Sequence, residues 1–539
     1  MRGYLKTVTF AALSCSLALA AGCSSGSDGD AQSGSGNQAP SGGSQQAAAG
    51  GVKAGGFPIV DRPITLKAFS RKDPQHGEYK DMLLWKDYEQ KSGIHIEWDT
   101  PNLDSATERI NLLFSTQDLP DFILKNSLTS SQIMQYGSQG LIIPLEKYID
   151  QYAPHFKSLL DKRPDIKQQI TAPDGHIYFL PSVMDYLPSN VGRYPLINTK
   201  WLSKVGMQAP TTSDELLKVL TAFKTQDPSG NGENEEIPYS AHNINLAFQG
   251  IEGMFGLSEQ IANFHTVIED GKANVWLDDD RYKKALEFFK QLYDQKLVDQ
   301  EIFTQTDKMY FGKLADGIIG YTPLYQPRNA GKYANDYDAI VPPKGPDGDQ
   351  VWAYLSNGVG VGNFMITKND KYPEATVRWA DYFFSDEGAT AVYEVKEGEV
   401  YTVAADGTYH INEDLLNSDS GFENVMGAKY TYYPGGGALG LFTEKQMLPT
   451  MEGTPMPTYI KKVQDYLPKT VYNAPLLEAD KQDKLTDLSN DIGKYADEMR
   501  AKFILGKVSF DDWDSYVKQL DKMGIHDMEN ILSDAVAQK

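Results

Sequence analysis

Cysteine is nearly absent from this chain of 539 residues, which contains only Cys15 and Cys23. Both lie close to the amino terminus, so the rest of the chain has no thiol for disulfides, zinc binding or thiol chemistry. Histidine is also scarce: the eight residues are scattered without metal-ligand spacing, and no His-Glu-x-x-His motif occurs. A Gly-x-Ser-x-Gly nucleophile motif is likewise missing. The sequence therefore carries no signature of a metalloenzyme with a His-Glu-x-x-His motif or of a hydrolase with a Gly-x-Ser-x-Gly motif.

Positive charge is in short supply as well. The chain has 51 Lys and Arg against 73 Asp and Glu, a formal net charge of −22. Binding of nucleic acid needs a basic surface, and electrostatic docking on anionic lipid needs one too. Neither is expected as a partner.

Long hydrophobic runs are missing except at the amino terminus. Arg2 and Lys6 flank an apolar segment over residues 7–21, which is too short to span a bilayer comfortably, and predict a signal peptide over residues 1–22. The following Leu19-Ala20-Ala21-Gly22-Cys23 resembles a bacterial lipobox, with Ala20 where Leu is more usual. We predict lipidation of Cys23, which anchors the protein at the outer face of the cell membrane. Ordinary signal-peptide cleavage without lipidation is the alternative.

Residues 23–56 are rich in Gly, Ser, Gln and Ala and have too little apolar material to form a core. They predict a flexible tether that spans about 30 Å on average. The remaining chain exceeds the size that a single hydrophobic core usually serves, so two lobes are expected.

Strands and helices alternate from Pro63 onward. This alternation predicts an α/β fold with a parallel sheet covered on both faces. Ligands bind beyond the carboxyl ends of such strands, here near Arg71 and Asn126. The predicted strands are residues 64–69, 94–98 and 121–124, and the predicted helices are residues 79–91 and 105–115.

Oxygen-bearing side chains recur at alternate positions between residues 227 and 238, and Gly230 and Gly232 allow a tight turn there. This spacing suits a hard cation with six to eight oxygen ligands and predicts a structural calcium site. It is not an EF-hand, since Pro238 stands where that motif needs a bidentate Glu. An ordinary polar turn is the alternative. The predicted ligands are Asp227, Ser229, Asn231, Glu233, Glu235 and Glu236.

An ordered set of motifs resembles the extracellular solute-binding proteins of carbohydrate ABC importers, in particular the large lipoprotein branch that includes alginate-oligosaccharide-binding proteins. The resemblance spans about residues 63–539. In that branch a loop with the spacing of residues 227–238 holds calcium. The motifs are Asp174–Pro181, Asn198–Leu202, Pro210–Glu215, Asp227–Pro238, Gly317–Tyr321, Pro342–Gly348, Tyr372–Ala375, Arg378–Tyr382, Ser385–Gly388, Phe503–Gly506 and Asp511–Trp513.

This resemblance implies a periplasmic-binding-protein-like fold of two α/β lobes with hinge crossings and a carboxyl-terminal helical extension. Crossings are expected near residues 182–194 and 352–364. The first lobe is predicted to comprise residues 57–182 and 362–430, and the second residues 183–361 and 431–539. The resemblance also implies a monomer that passes an oligosaccharide to the transmembrane subunits of an ABC permease.

Sugars have flat apolar faces and a rim of hydroxyls, so a binding site needs aromatic rings and planar polar groups. Each candidate contact residue could instead lie in the core or on the surface without contacting a sugar. Trp201, Trp379 and Trp513 are interpreted as core, the run 278–281 as a helix start, and the glycine-rich run 358–362 as a strand. The predicted sugar contacts are Arg71, Asn126, Asp185, Arg193, Tyr321, Tyr325, Trp352, Tyr354, Tyr432 and Tyr433.

Three functions stay open from the sequence. The first is a non-catalytic receptor for an oligosaccharide, and the others are a surface glycoside hydrolase or lyase and a receptor for a peptide or signalling ligand. Because the chain has many Asp and Glu residues, their number alone does not exclude the carboxylate pair of a glycoside hydrolase. The acidic chain disfavours polyanionic ligands at long range, although Arg71 and Arg193 could hold a uronate at contact distance.

Overall fold

The computed structural model describes residues 51–537, except residues 54, 127, 231, 233, 234, 417, 419 and 452–454. Cys23, the predicted signal peptide and most of the predicted tether lie outside the described residues, as do Asn231 and Glu233 of the predicted calcium site. In the described part of the chain, none of the helices has the length and apolar character needed to cross a membrane.

The first sheet has six strands and is mixed. Strand Ile64–Phe69 pairs in parallel with the strands on both sides of it, as the alternating pattern predicts. Strand Val359–Ile366 runs antiparallel to both of its neighbours, which confirms that the glycine-rich run belongs to a strand. In spatial order the strands are Gly440–Thr443, Leu180–Asp185, Val359–Ile366, Phe122–Leu124, Ile64–Phe69 and Ile94–Asp99.

A second sheet has four strands. The chain passes from the first sheet to the second between Asp185 and Tyr194, and it returns between Ala339 and Val359. The first passage matches the expected crossing near residues 182–194, and the return ends within the expected crossing near residues 352–364. In spatial order the strands are Tyr337–Ala339, Tyr194–Asn198, Ile319–Leu324 and Ile237–Tyr239.

One strand departs from the predicted lobe ranges. Gly440–Thr443 pairs in parallel with Leu180–Asp185 in the six-stranded sheet, whereas the prediction assigns residues 431–539 to the second lobe. Apolar side chains of residues 430–463 belong to the same hydrophobic cluster as the first sheet. The period of a strand shows that it lies in a sheet but not in which one.

Helices cover the faces of both sheets, and two small hairpins, Thr266–Glu269 with Lys272–Val275 and Tyr401–Val403 with Tyr409–Ile411, lie outside them. The helices as far as the second sheet are Leu83–Ser92, Leu103–Thr116, Ser130–Ser138, Glu146–Tyr152, Pro154–Lys162, Pro164–Ile170, Leu187–Asn190, Thr199–Lys204 and Ser213–Thr225. The later ones are Ile244–Glu252, Asp280–Asp294, Asp307–Ala315, Pro373–Asp381, Asp386–Tyr393, Glu413–Leu416, Phe422–Val425, Glu444–Thr450 and Met456–Val463. The predicted carboxyl-terminal extension comprises Ala479–Ile504, Trp513–Met523 and Ile525–Ala537.

The three tryptophans interpreted as core are all buried, with exposed fractions of 3% for Trp201, 1% for Trp379 and 4% for Trp513. Trp379 packs 5.7 Å from the ring of Trp85 and 5.1 Å from that of Phe122. The helical spacing of these tryptophans among apolar neighbours therefore indicates burial in the core and not contact with a ligand.

The acidic run at 278–281 begins a helix, as predicted. Asp279 accepts a hydrogen bond from the Arg281 N–H and caps the helix Asp280–Asp294. The carboxylate of Asp278 lies within 4.8 Å of ligand atoms of Asp521 and His526, and His526 already forms an ion pair with Asp521. Helix capping and ion pairing account for these groups.

Candidate binding cavity and calcium loop

The adjoining edges of the two sheets carry several of the predicted contact residues. Strands Ile64–Phe69 and Phe122–Leu124 are parallel, so Arg71 and Asn126 lie at one edge of the first sheet. In the second sheet Tyr194 pairs with Leu324, which places Arg193 and Tyr325 at a common edge. In the first passage of the chain between the two sheets, only residues 186–193 lie between the last strand of one sheet and the first strand of the other. These edges therefore adjoin.

A cavity of about 640 Å³ lies where the segment after strand Ile319–Leu324 faces the segments 421–436 and 447–451 and the residue Met456. Its size falls within the usual range of small-molecule sites, and its lining mixes aromatic, polar and apolar groups. The lining residues are Met184, Ser189, Tyr325, Gln326, Arg328, Asn329, Tyr393, Gly421, Phe422, Glu423, Asn424, Tyr433, Pro434, Gly435, Gly436, Met447, Thr450, Met451 and Met456.

Two of the predicted aromatic contacts line this cavity. Tyr325 is half-buried, and Tyr433 stacks on Tyr393 with ring centroids 4.2 Å apart and planes inclined by 20°. Burial raises the pKa of both Tyr325 and Tyr433, so their hydroxyls stay protonated. The cavity thus presents neutral phenols that donate and accept hydrogen bonds beside apolar ring faces.

A second, smaller cavity of about 280 Å³ lies among the segments that connect the two sheets. It contains two more predicted contacts, Arg193 and Tyr354, with the guanidinium 5.9 Å from the centre of the tyrosine ring. The Tyr354 hydroxyl donates to the carbonyl of Leu246 at 2.6 Å, so the ring is held in place within its own lobe. The structure does not bring these two residues into the larger cavity.

Three of the predicted contacts are core residues. Tyr321 lies within strand Ile319–Leu324 and is fully buried. Trp352 is 2% exposed and its indole N–H donates to the carbonyl of Arg193, and the hydroxyl of buried Tyr432 accepts the Leu439 N–H. Aromatic residues near strand ends do not show from sequence which face they occupy.

The remaining predicted contacts hold the edges of the first sheet. Asn126 donates through its side-chain amide to the carbonyl of Gly362 in the neighbouring strand. The Arg71 guanidinium lies 3.8 Å from the carboxylate of Asp73, and Asp185 forms a 3.2 Å ion pair with Arg163. Their roles as sugar contacts stay predictions.

A buried ion pair, which sequence reasoning missed, supports one wall of the larger cavity. The Lys125 ammonium lies 2.6 Å from the Asp73 carboxylate and donates at 3.1 Å to the carbonyls of Tyr432 and Pro434. Burial lowers the pKa of Lys125 to about 8, although Asp73 opposes this shift. A Cβ at Gly435 would lie 2.4 Å from the Asp73 carboxylate, so only glycine fits this turn. The three consecutive glycines at 435–437 are the feature of the sequence that could have indicated this tight turn.

The predicted calcium loop curls as its spacing requires. Asp227, Gly230 and Gly232 all have positive φ angles, between 44° and 76°. The Asp227 carboxylate accepts the N–H groups of Gly230 at 2.9 Å and Gly232 at 3.1 Å. The Ser229 hydroxyl lies between two carboxylates, 3.1 Å from Asp227 and 2.7 Å from Glu236. Three of the predicted ligands therefore lie together, while Glu235 is exposed beside them.

These contacts leave Asp227 ionised. Desolvation raises the pKa of Asp227, but the hydrogen bonds from Gly230, Ser229 and Gly232 outweigh it and hold the pKa below its usual value. Carboxylate and hydroxyl oxygens are the ligands that calcium prefers, so the described part of the loop fits such an ion.

A family model described as "bacterial extracellular solute-binding protein" matches residues 84–403. The fructooligosaccharide ABC transporter substrate-binding protein FusA of Streptococcus pneumoniae serotype 4 is 31% identical to this chain over 500 residues. The match covers 87% of this chain and 89% of that protein.

Solved structures agree with these sequence matches. FusA of S. pneumoniae in complex with kestose is 27% identical, with a TM-score of 0.75, over 88% of this chain and 99% of that one. The alginate-binding protein AlgQ2, solved without calcium ion, has a TM-score of 0.70 at 24% identity over 88% of this chain and 98% of that one, which shows the shared fold. The predicted two-lobed fold is thereby confirmed. The chain belongs to the family of bacterial extracellular solute-binding proteins, which are binding proteins of transporters and not enzymes.

Proposed function

We propose that this protein captures an oligosaccharide in the 640 Å³ cavity and delivers it to the membrane subunits of an ABC importer. The observation that carries this proposal is the cavity itself, whose walls come from segments attached to different sheets and include Tyr325 and Tyr433. Aromatic faces match the apolar faces of sugar rings, and the surrounding Ser, Asn, Gln and Arg side chains match the hydroxyls. The bound sugar would bridge the two lobes and favour their closure.

The relatives support an oligosaccharide as the ligand class. FusA, the relative at 31% identity, carries the name of a fructooligosaccharide-binding protein, and its structures contain kestose or fructo-nystose. We therefore place fructooligosaccharides first among the candidates for this chain.

The described lining of the cavity also argues against the glycoside hydrolase that the sequence alone left open. Such enzymes use two carboxyl groups, about 5–5.5 Å or 6.5–9.5 Å apart, on either side of the scissile bond. Among the described residues that line the cavity, Glu423 is the one carboxylate. The described walls therefore lack the pair that hydrolysis requires.

The test is a thermal-shift and product-analysis screen of the purified protein with kestose, nystose, maltotriose, cellotriose, tri-galacturonate and a control peptide mixture. An oligosaccharide at 100 times its Kd stabilises the folded state by about 2.7 kcal/mol, which raises Tm by about 2–5 °C. The sugar is recovered intact at the end. Stabilisation by peptides alone, or release of shorter sugars, would contradict the proposal.

We further propose that calcium binds the loop at 227–236 and stabilises the protein without taking part in sugar recognition. The fit of Asp227, Ser229 and Glu236 to a hard cation supports this proposal. One FusA structure is that of an EF-hand mutant, which is consistent with a metal loop in that relative.

Removal of calcium with EGTA is expected to lower Tm by several degrees in the wild-type protein, because a ligand that binds only the folded state stabilises it. Asp227→Ala is expected to have the lower Tm with or without calcium. Asp118→Ala, which removes an exposed carboxylate outside the loop, keeps the full response to EGTA. A wild-type Tm that is identical in calcium and in EGTA would rule out the site.

We also propose that Cys23 is acylated and holds the protein at the outer face of the cell membrane. Cys23→Ser is expected to move the protein from the membrane fraction to the culture medium and to abolish labelling with a fatty acid. Cys15→Ser, within the predicted signal peptide, provides the matched control and stays membrane-bound. Membrane retention of the Cys23→Ser protein would disprove the anchor.

A further inference from the structure

Glu423 has an unusual position among the acidic residues of this protein. It follows Phe422, which is 8% exposed and fixes the short helix Phe422–Val425 in the first hydrophobic cluster. The Glu423 side chain is exposed, and it lines the 640 Å³ cavity. None of the described residues forms a hydrogen bond or an ion pair with its carboxylate. Its oxygens are therefore available to a ligand.

The surroundings of this carboxylate are aromatic. Glu423 lines the cavity together with Tyr325, Tyr393 and Tyr433. Burial is the main cause of the raised pKa of these three phenols, and the negative charge of Glu423 adds to it. A sugar ring that packs on these tyrosines would have its rim of hydroxyls within reach of the carboxylate.

Arg328 is the other charged residue among the described residues that line the cavity, and it belongs to the segment after strand Ile319–Leu324. Desolvation lowers the pKa of Arg328, and the charge of Glu423 opposes that shift. Conversely, desolvation raises the pKa of Glu423, and Arg328 opposes it. The described lining of the cavity thus carries one residue of each charge sign, and each opposes the pKa shift of the other.

On the basis of the oligosaccharide-binding function proposed above, we propose that Glu423 restricts the cavity to neutral oligosaccharides. Its carboxylate accepts hydrogen bonds from hydroxyls of a neutral sugar unit, and such charge-assisted bonds are stronger than neutral ones. A uronate would instead bring a second carboxylate beside Glu423 in a partly desolvated space, where like charges disfavour each other. The net charge of −22 adds repulsion at longer range.

Isothermal titration calorimetry of the purified protein tests this inference. The probes are tri-galacturonate and whichever neutral trisaccharide among kestose, maltotriose and cellotriose binds best. For the wild type we expect at least 100-fold tighter binding of the neutral sugar. In Glu423→Gln the affinity for the neutral sugar falls about tenfold, and the discrimination against tri-galacturonate narrows at least tenfold because the carboxylate that repels the uronate has been neutralised.

Glu413→Gln is the matched control, because Glu413 is an exposed glutamate on a nearby helix that does not line the cavity, and this variant keeps both affinities. The inference is overturned if Glu423→Gln binds the neutral sugar within twofold of the wild type with unchanged discrimination. It is also overturned if the wild type binds tri-galacturonate as tightly as the neutral sugar, although oligosaccharide capture then still stands. If the wild type binds none of the probes, the capture function itself fails.

Discussion

Replacing the buried Lys125 with methionine is expected to lower the free energy of unfolding by about 3 kcal/mol. Lys125 and Asp73 form an ion pair of 2.6 Å, and their side chains are only 1% and 6% exposed. The substitution leaves the Asp73 carboxylate buried, and among the described residues the ion pair that it keeps is the longer one with the Arg71 guanidinium, at 3.8 Å. It also removes the hydrogen bonds from Lys125 to the carbonyls of Tyr432 and Pro434, although the Pro434 carbonyl keeps its contact of 2.8 Å with a ring nitrogen of His76.

Urea unfolding curves of the two proteins measure this effect. The double variant Lys125→Met with Asp73→Asn is expected to recover part of the lost stability, because it no longer buries an unpaired charge. Lys157→Met removes a lysine from a surface pair with Asp150 and changes the curve little. An unfolding midpoint for Lys125→Met equal to that of the wild type would show that the buried pair is unimportant.

The same substitution also affects the cavity. Lys125 holds the turn that carries Tyr433 and Gly435, and both of these residues line the cavity wall. We therefore expect a loss of oligosaccharide affinity in Lys125→Met, even at a temperature where the variant is fully folded.

Replacing Tyr325 with alanine is expected to weaken oligosaccharide binding about 30-fold, which corresponds to about 2 kcal/mol. Tyr325 is half-buried and lines the cavity directly after strand Ile319–Leu324, so its ring is the natural platform for a sugar face. The loss of this apolar contact removes binding energy with little effect on the core.

Titration calorimetry of Tyr325→Ala and Tyr325→Phe separates the ring from the hydroxyl. The phenylalanine variant retains the ring and is expected to bind within about threefold of the wild type, the cost of one ordinary hydrogen bond at most. Equal losses in the two variants would assign the contribution to the hydroxyl. Unchanged affinity in Tyr325→Ala would remove Tyr325 from the binding site.

Several features of this protein follow from its sequence alone. The strands Ile64–Phe69 and Ile94–Asp99 and the helices after them appear where the periodicity predicts, and their parallel pairing follows from the alternation. The helix start expected in the run 278–281 is capped by Asp279. These features depend on residues a few positions apart, and short-range spacing in the sequence records them directly.

The turn of the proposed calcium loop is likewise a feature that follows from the sequence. Its glycines, its carboxylates and its turn all lie within about a dozen residues, so the sequence shows that Asp227 and Ser229 face a common centre. The α/β fold class and its division into two lobes could also be predicted from the sequence, because an ordered series of family motifs extends through most of the chain.

Only the tertiary structure decided which residues line the cavity. Tyr321 and Tyr325 are four positions apart, yet one fills the core and the other faces the cavity, because the strand ends between them. Lys125 donates a hydrogen bond to the carbonyl of Pro434, and Glu423 and Tyr325 line the same cavity, although long stretches of chain that no local pattern relates separate the members of each pair. Contacts of this kind arise from the packing of whole sheets, whose faces are assigned only when the chain folds.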